Sequence, residues 1–190
     1  MGSNPSVVDH FVQAFEKVSG VAHIARSSVE IAAQVVAVAT EKNAKRVALA
    51  NLPDNLTGAI AEACVAAGFE VVRDPFLANT LPAAIDQAQV GVTGIAFGIA
   101  QTGTLVEIAT NDVVRLVSAL PRTHIGVVAA SNLVEHYDDA ASQVRKHFQS
   151  NPAGCVVSFM SGPSRTGDIE LKLTLGVHGP ESAHAIIVVE

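Results

Sequence analysis

The residues best equipped for chemistry lie in one short stretch of the sequence, Ser161–Glu170. It follows Val156–Met160, an apolar run with the length and β-propensity of a buried strand. Two glycines free its backbone, and hydroxyl groups stand with the guanidinium of Arg165 just before a helix predicted over 169–175. Such donors at a helix N-terminus suit a carboxylate or phosphate. The alternative is a capped turn in which Arg165 pairs with a neighbouring carboxylate.

Two further polar turns contain candidate ligand-binding groups. Gln101-Thr102-Gly103-Thr104 joins strands predicted over 90–94 and 105–109. Its backbone N–H groups either face a ligand or belong to an ordinary β-turn. His178 lies between glycines in Gly176-Val177-His178-Gly179-Pro180, which leaves it accessible. It is interpreted either as a ligand contact or proton shuttle, or as part of a hydrogen bond that fixes the loop.

The remaining reactive side chains form no pattern typical of a catalytic or metal site. His124 opens a predicted strand and is expected to be structural, while Arg115 is a weak candidate that either pairs with Asp112 or reaches the site. Cys64 and Cys155 show no Cys-x-x-Cys spacing, so both are expected to be small buried hydrophobes. No metal site is therefore expected on this chain, and electron transfer would need a partner that carries the cofactor.

Composition favours a protein with a large aliphatic core. The 190 residues are 49% hydrophobic but only 4% aromatic, which suits parallel strands buried on both faces of a sheet. The length suits one domain, covering residues 1–190. The net charge of −6 disfavours nucleic acid as a partner, and no apolar run reaches the roughly 18 residues of a membrane span. A cytoplasmic protein is therefore expected.

The order of the predicted elements indicates an α/β fold. A helix within residues 1–20 precedes strands and helices that alternate, which predicts an open, mostly parallel sheet with helices on both faces. Between the strands that flank Gln101–Thr104 there is room only for a short helical turn, near 96–100. Ligands of such sheets bind at the carboxyl ends of the strands. The turns at 101–104, 161–168 and 178–179 are therefore expected to meet there.

Three pieces of the sequence together resemble the lactate utilisation protein C family, the LUD domain. They are Gln101-Thr102-Gly103-Thr104, Leu120-Pro121-Arg122-Thr123-His124-Ile125, and Ser161–Glu170 leading to Gly176-Val177-His178-Gly179-Pro180. The resemblance covers about residues 90–190, the motif-bearing half. It implies the open α/β fold shared by ribose-phosphate isomerases, glucosamine-phosphate deaminases and CoA transferases. It also implies a part in oxidising L-lactate to pyruvate beside iron–sulfur partner proteins, with the clusters on those partners and no cofactor on this chain.

Two positions depart from the family pattern. The family usually has Glu where this chain has Gln101, and Ala where it has Gly167. CoA transferases of this broad fold use a glutamate as nucleophile, which an amide cannot replace. Glu107 lies in a predicted strand and is a poor substitute.

The expected function follows from the resemblance and the local patterns together. It is a component of an L-lactate-oxidising iron–sulfur system, a subunit of a lactate dehydrogenase complex, that binds a small organic acid or an anionic cofactor group. The alternatives are a non-catalytic ligand-binding or assembly module and a stand-alone phosphosugar or acyl-CoA enzyme, which fold alone does not separate. No catalytic residue is identified. The ligand-binding candidates are Gly94, Gln101, Thr102, Gly103, Thr104, Ser161, Gly162, Ser164, Arg165, Thr166, His178 and Gly179.

Overall fold

The computed structural model of the protein describes residues 6–76, 78–166, 174–175 and 177–189. Within these ranges the strands are β1 Val21–Ala25, β2 Arg46–Ala50, β3 Glu70–Val72, β4 Val90–Gly94, β5 Phe97–Ile99, β6 Thr104–Ala109, β7 Thr123–Ala129, β8 Leu133–Val134, β9 Val156–Met160, β10 Arg165–Thr166, β11 Thr174–Leu175 and β12 Ser182–Val188. The α-helices are α1 Val7–Lys17, α2 Ser28–Glu41, α3 Asp54–Ala66, α4 Ala83–Asp86, α5 Asp112–Ala119 and α6 Tyr137–Ser150. None of the described helices is long and apolar enough to cross a membrane.

A parallel sheet of six strands, in the order β1-β12-β7-β4-β2-β3, forms the centre of the fold. Its strands are aliphatic on both faces because both faces are covered. One face packs against α2 and α3, through residues such as Val35 and Ile60. The other face packs against α4 and α5, through Ile85 and Val117, and against α1 and a second sheet. The predicted α/β class, a mostly parallel open sheet with helices on both faces, is confirmed.

The second sheet has four strands in the order β8-β5-β6-β9. Its central strand β6 is buried along its whole length, between the parallel sheet on one side and α6 on the other. The predicted helical turn at 96–100 is wrong, because Phe97–Ile99 is a strand that pairs antiparallel with β6. Because β5 and β6 are antiparallel, no crossover helix is needed between them. A 3₁₀ turn at Ala100–Thr102 joins the two strands.

A short hairpin replaces part of the helix predicted over 169–175. Arg165–Thr166 pairs antiparallel with Thr174–Leu175, so the last residues of that predicted helix are extended. Pairing between the two segments satisfies their backbone groups without a helix. Residues 167–173 lie outside the described residues.

The first helix docks on the turn that precedes β6. Phe11 and Phe15 are fully buried on one face of α1, and their rings stack with centroids 5.6 Å apart. Gly103 ends the 3₁₀ turn with φ of 58°, in the left-handed region. A Cβ at this position would overlap the backbone of Phe15. Glycine is therefore required at 103 both for its backbone conformation and for the close approach of α1.

We predict that Gly103→Ala destabilises the protein by more than about 2 kcal/mol, because a left-handed conformation and a backbone overlap are penalised together. Gly58→Ala is the matched control. Gly58 lies inside α3, a Cβ there would meet no atom within 4 Å, and alanine is the better helix former, so this variant should gain about 0.5–1 kcal/mol. Urea unfolding measures both changes. A Gly103→Ala protein as stable as the wild type would show that α1 does not pack against this turn.

Candidate functional site

A cavity of about 690 Å³ lies at the carboxyl ends of the parallel strands. Five strands contribute a residue at or just after their carboxyl end, which in sheet order are Arg26, Val188, Ala129, Gly94 and Asn51. This edge is where open α/β sheets bind their ligands. The volume is also in the range of about 300–1,000 Å³ that small-molecule sites occupy. The cavity thus has the position and size expected of a ligand site.

The cavity opens where the chain leaves β2 and β4 in different directions. After β2 it enters α3 on one face of the parallel sheet, whereas after β4 it crosses to the second sheet on the other face. Asn51 has a left-handed backbone with φ of 56°, and its Nδ2 donates to the carbonyl oxygen of Gly94 at 2.9 Å. A Cβ at 94 would overlap the Asn51 carbonyl oxygen. The two strand ends are thus held together while their continuations diverge, which makes this the switch point of the sheet.

Polar groups gather where β1 leads into α2. The Oγ of Ser27 caps the helix by accepting a hydrogen bond from the Glu30 N–H at 3.2 Å, and the Glu30 carboxylate accepts one from the Arg26 N–H at 2.8 Å. Arg26 is exposed and lines the cavity, and its guanidinium has no ion-pair or hydrogen-bond partner among the described residues. An anion here would meet a planar guanidinium beside the positive end of a 14-residue helix.

The rest of the wall combines aliphatic side chains with a few polar ones from α6 and the strand ends. The α6 residue His147 and its neighbour Asn151 both line the cavity, and the Asn151 Nδ2 donates to the His147 carbonyl oxygen at 2.8 Å. Aliphatic side chains come from both faces of the parallel sheet: Ile31, Leu56 and Val127 from one face, and Ile95 and Ile108 from the second-sheet side. The cavity therefore has an arginine near β1 and a wall of both aliphatic and polar side chains.

One sequence-predicted candidate, Gly94, lies in this cavity, whereas the predicted hydroxyl groups meet elsewhere. The Thr102 Oγ1 lies 2.7 Å from the Thr104 Oγ1, which lies 2.6 Å from the Ser161 Oγ. Thr104 begins β6 and Ser161 follows β9, and these two strands are antiparallel, so the start of one lies beside the end of the other. The three hydroxyl groups form one hydrogen-bonded chain.

Gly162 and Arg165 lie against the end of α1. Gly162 has φ of 81°, and a Cβ there would overlap the carbonyl oxygen of Val18. The Arg165 Nη2 donates to that same Val18 oxygen at 2.6 Å and to the Ser19 Oγ at 2.7 Å. Arg165 thus fixes the turn between α1 and β1, while the neighbouring carboxylates Asp168 and Glu170 lie outside the described residues. That it also binds an anion stays a prediction.

The side chain of Gln101 makes a structural hydrogen bond at the start of α6. Its Oε1 accepts a hydrogen bond from the Tyr137 N–H at 2.9 Å, at the first residue of α6. A carboxylate oxygen would accept the same bond. An amide in place of the family's usual glutamate therefore keeps this cap, whatever other chemistry the carboxylate supplies.

The other candidates lie in the hairpin and in the turn before β12. The Ser164 N–H donates to the Pro180 carbonyl oxygen at 2.8 Å, and Thr166 lies in β10. His178 and Gly179 are exposed in the turn. Whether these residues bind a ligand stays a prediction.

The prediction that the three turns meet at the carboxyl ends of the parallel strands is wrong. They converge on one another and on α1, but they do so beside Ser19 and Pro180, which precede β1 and β12. That is the amino end of the parallel strands, whereas the cavity lies at the carboxyl end. The reason is that β6 and β9 belong to the antiparallel second sheet, so their ends do not follow the direction of the parallel one.

A buried polar cluster lies between the two sheets. The Ser118 Oγ donates to the Glu107 Oε1 at 3.0 Å, and the Thr93 Oγ1 lies 2.8 Å from the His124 Nε2. Glu107 is fully buried, and its Oε2 has no hydrogen-bond partner among the described residues. Burial raises the pKa of Glu107, although the hydroxyl groups of Ser118 and Thr93 and the charge of Arg115 oppose the shift. Burial also lowers the pKa of His124 to about 4, and its structural role stays a prediction.

Histidines also meet on the neighbouring strands β1 and β12. The rings of His23 and His184 stack with centroids 5.5 Å apart, and the His23 Nε2 lies 3.2 Å from the His184 Nδ1. Burial, followed by the charge of His23, lowers the pKa of His184 to about 4. Because the folded state keeps His124 and His184 neutral, stability is lost as the pH falls from about 6.5 to about 4.

The cysteines and Arg115 have structural surroundings. Cys64 is buried in α3, as predicted, and burial raises the pKa of its thiol to about 11, whereas Cys155 is only half-buried. Arg115 pairs with Asp112 on the surface of α5. Within the described ranges, no group of three or more His, Cys, Asp or Glu side chains is placed to hold a metal ion.

Glu107 should give stability a distinct pH dependence. The pKa of Glu107 in the folded state is raised above the ordinary 4.5. The contribution of this residue to the free energy of unfolding is therefore fully present below pH 4.5, and it is lost as the pH rises through the folded-state pKa. We predict that Glu107→Gln, compared with the wild type by urea unfolding from pH 5 to pH 8, becomes relatively more stable as the pH rises. Glu62→Gln, an exposed change on α3, should keep the wild-type profile. A stability difference between Glu107→Gln and wild type that does not change with pH would contradict the assignment.

Comparison with known proteins places the chain in a family. Residues 8–188 match the LUD domain model. Lactate utilization protein C of Bacillus subtilis is 36% identical over 104 residues, which cover 54% of this chain and 43% of that protein. Lactate utilization protein C of Macrococcus caseolyticus is 39% identical over 105 residues, which cover 54% and 45%. The chain thus spans less than half the length of each relative.

A solved structure of another protein has the same fold. The crystal structure of a DUF162 family protein from Deinococcus radiodurans superimposes with a TM-score of 0.69 over 96% of both chains, at 23% identity. The family match spans nearly all of the described residues, from α1 to β12. The chain belongs to the LUD domain family.

Proposed function

We propose that this chain binds a small organic acid in the cavity at the carboxyl ends of its parallel strands, as a component of a lactate-utilisation system. The observation that carries the proposal is that Arg26 lines the cavity while its guanidinium has no partner among the described residues. An unpaired guanidinium at the switch point of an α/β sheet suits a carboxylate, which it can bind through two parallel hydrogen bonds. The relatives named lactate utilization protein C support the choice of an organic acid as ligand.

The oxidation itself needs an electron acceptor. Conversion of L-lactate to pyruvate removes two electrons and two protons from the substrate, and the family resemblance implies that iron–sulfur partner proteins receive the electrons. In this proposal the chain holds the acid, or an anionic group of a cofactor, while the partners carry the redox centres. A stand-alone enzyme acting on phosphosugars or acyl-CoA is the competing function, and the purified chain would then turn over its substrate without partners.

We predict that Arg26→Gln weakens binding of L-lactate or pyruvate by roughly ten- to a hundredfold, since a hydrogen bond to a charged group contributes about 1.5–3 kcal/mol. Calorimetric titration of the purified chain measures the change. Arg122→Gln is the matched control, because Arg122 is exposed at the amino end of the parallel strands, 3.2 Å from Glu181, and should leave affinity unchanged.

Arg165→Gln separates the cavity from the loop site predicted from the sequence. If Arg26 binds the carboxylate, Arg165→Gln keeps the wild-type affinity in folded protein and loses only the hydrogen bonds to Val18 and Ser19. Loss of affinity in Arg165→Gln, with Arg26→Gln unaffected, would move the ligand to the turn at 161–165 and refute the proposal.

A further inference from the structure

The cavity is much larger than the acid from which the family takes its name. Its volume is about 690 Å³, and it is open to solvent. Lactate has few heavy atoms, and even at about 30 Å³ each, the share of one water molecule in the liquid, it would fill only roughly a quarter of the cavity. Because ligand sites usually bury most of their ligand's surface, a larger molecule suits this volume better.

The chemistry of the wall narrows the class of that molecule. Ile31, Leu56, Val127, Ile95 and Ile108 line the cavity, and each is less than a tenth exposed, so they present a hydrocarbon surface. Among the described lining residues there is no Phe, Tyr or Trp on which a nucleobase could stack. The same residues include no Asp or Glu, and their polar groups are amides such as those of Asn55 and Asn132, a few hydroxyl groups and His147. The aliphatic part of the wall suits a ligand with a hydrocarbon body.

The arginine of the described lining lies at the end of the cavity near β1. Arg26 and the serines that follow it, Ser27 and Ser28, lie where β1 joins α2. No Asp or Glu is among the described lining residues, although the Glu30 carboxylate accepts a hydrogen bond from the Arg26 backbone N–H. A molecule with one anionic end and a hydrocarbon body complements this arrangement.

We infer that the ligand is an aliphatic 2-hydroxy or 2-oxo acid longer than lactate, with its carboxylate at Arg26 and its hydrocarbon chain along the Ile95, Ile108 and Val127 wall. The inference rests on the proposed function, since it concerns the ligand of the same site. It makes the length of the hydrocarbon chain a determinant of affinity. Lactate would then bind as the shortest and weakest member of the series.

The test is a calorimetric series of 2-hydroxy acids from three to eight carbons, titrated into the purified chain. Burial of each added methylene should raise affinity by about fourfold until the cavity is filled. Straight-chain alcohols of the same length lack the carboxylate and should bind more weakly at every length. The series should also weaken as a whole in Arg26→Gln.

Two variants test whether the gain in affinity with chain length comes from burial of the hydrocarbon chain in the cavity. Ala129→Leu places a larger side chain at the end of β7, where Ala129 lines the wall, and should abolish the gain in affinity with chain length. Ala96→Leu, also at the lining, serves the same purpose if the first variant does not fold. Ala141→Leu, on the exposed side of α6, is the control and should behave as wild type.

The outcomes separate this inference from the proposed function. Lactate binding that depends on Arg26, with affinity that is constant or falls along the series, overturns the inference and leaves the proposed function intact. Binding that rises with chain length but does not depend on Arg26 overturns the placement of the carboxylate. Absence of any acid binding to the purified wild-type chain overturns the proposed function itself.

Discussion

The close approach of Asn51 and Gly94 is the constraint on which the site depends. No side chain fits at position 94, and Asn51 has to adopt a left-handed backbone to donate its amide to the Gly94 carbonyl oxygen. Asparagine tolerates that conformation better than most residues, and only glycine permits the contact. From these adjoining strand ends the chain continues to α3 on one face and to the second sheet on the other. The crevice between the two continuations becomes the cavity.

The second sheet explains why the most distinctive motif residues are found where they are. Its strand β6 is buried on both sides and contains a glutamate that is fully buried as well. Gly103 and Gly162 permit α1 to pack closely against the sheet, and Arg165 fixes the turn that follows α1. The types of these residues therefore follow from the packing of α1. Such a role accounts for glycines and an arginine at these positions without a ligand.

Much of the architecture could be predicted from the sequence, because aliphatic runs and capping residues are local features. The strands predicted over 90–94 and 156–160 are examples, since both have these bounds in the structure. The short strands Phe97–Ile99 and Leu133–Val134 could not be predicted, since two or three residues are too few to show a period and depend on tertiary pairing.

The polar residues that line the cavity were not identified from the sequence, for a related reason. Arg26 and Asn51 are distant in sequence, and each resembles an ordinary polar residue at the end of a strand. The relevant signal is that such residues follow several predicted strands in turn. Because parallel strands share one carboxyl edge, these residues had to meet. The glycine- and hydroxyl-rich motifs were more conspicuous, but the strands that contain them run antiparallel to each other.

The central claim is that the ligand site lies at the carboxyl edge of the parallel sheet and not at the turns beside α1. Methyl NMR of the isoleucine-, leucine- and valine-labelled protein during titration with 2-hydroxyhexanoate tests it most directly. The account predicts shift changes centred on the methyl groups of Ile31, Ile95 and Ile108, which line the cavity. Changes centred instead on Val18 and Leu105, which pack near the end of α1 and the start of β6, would contradict it.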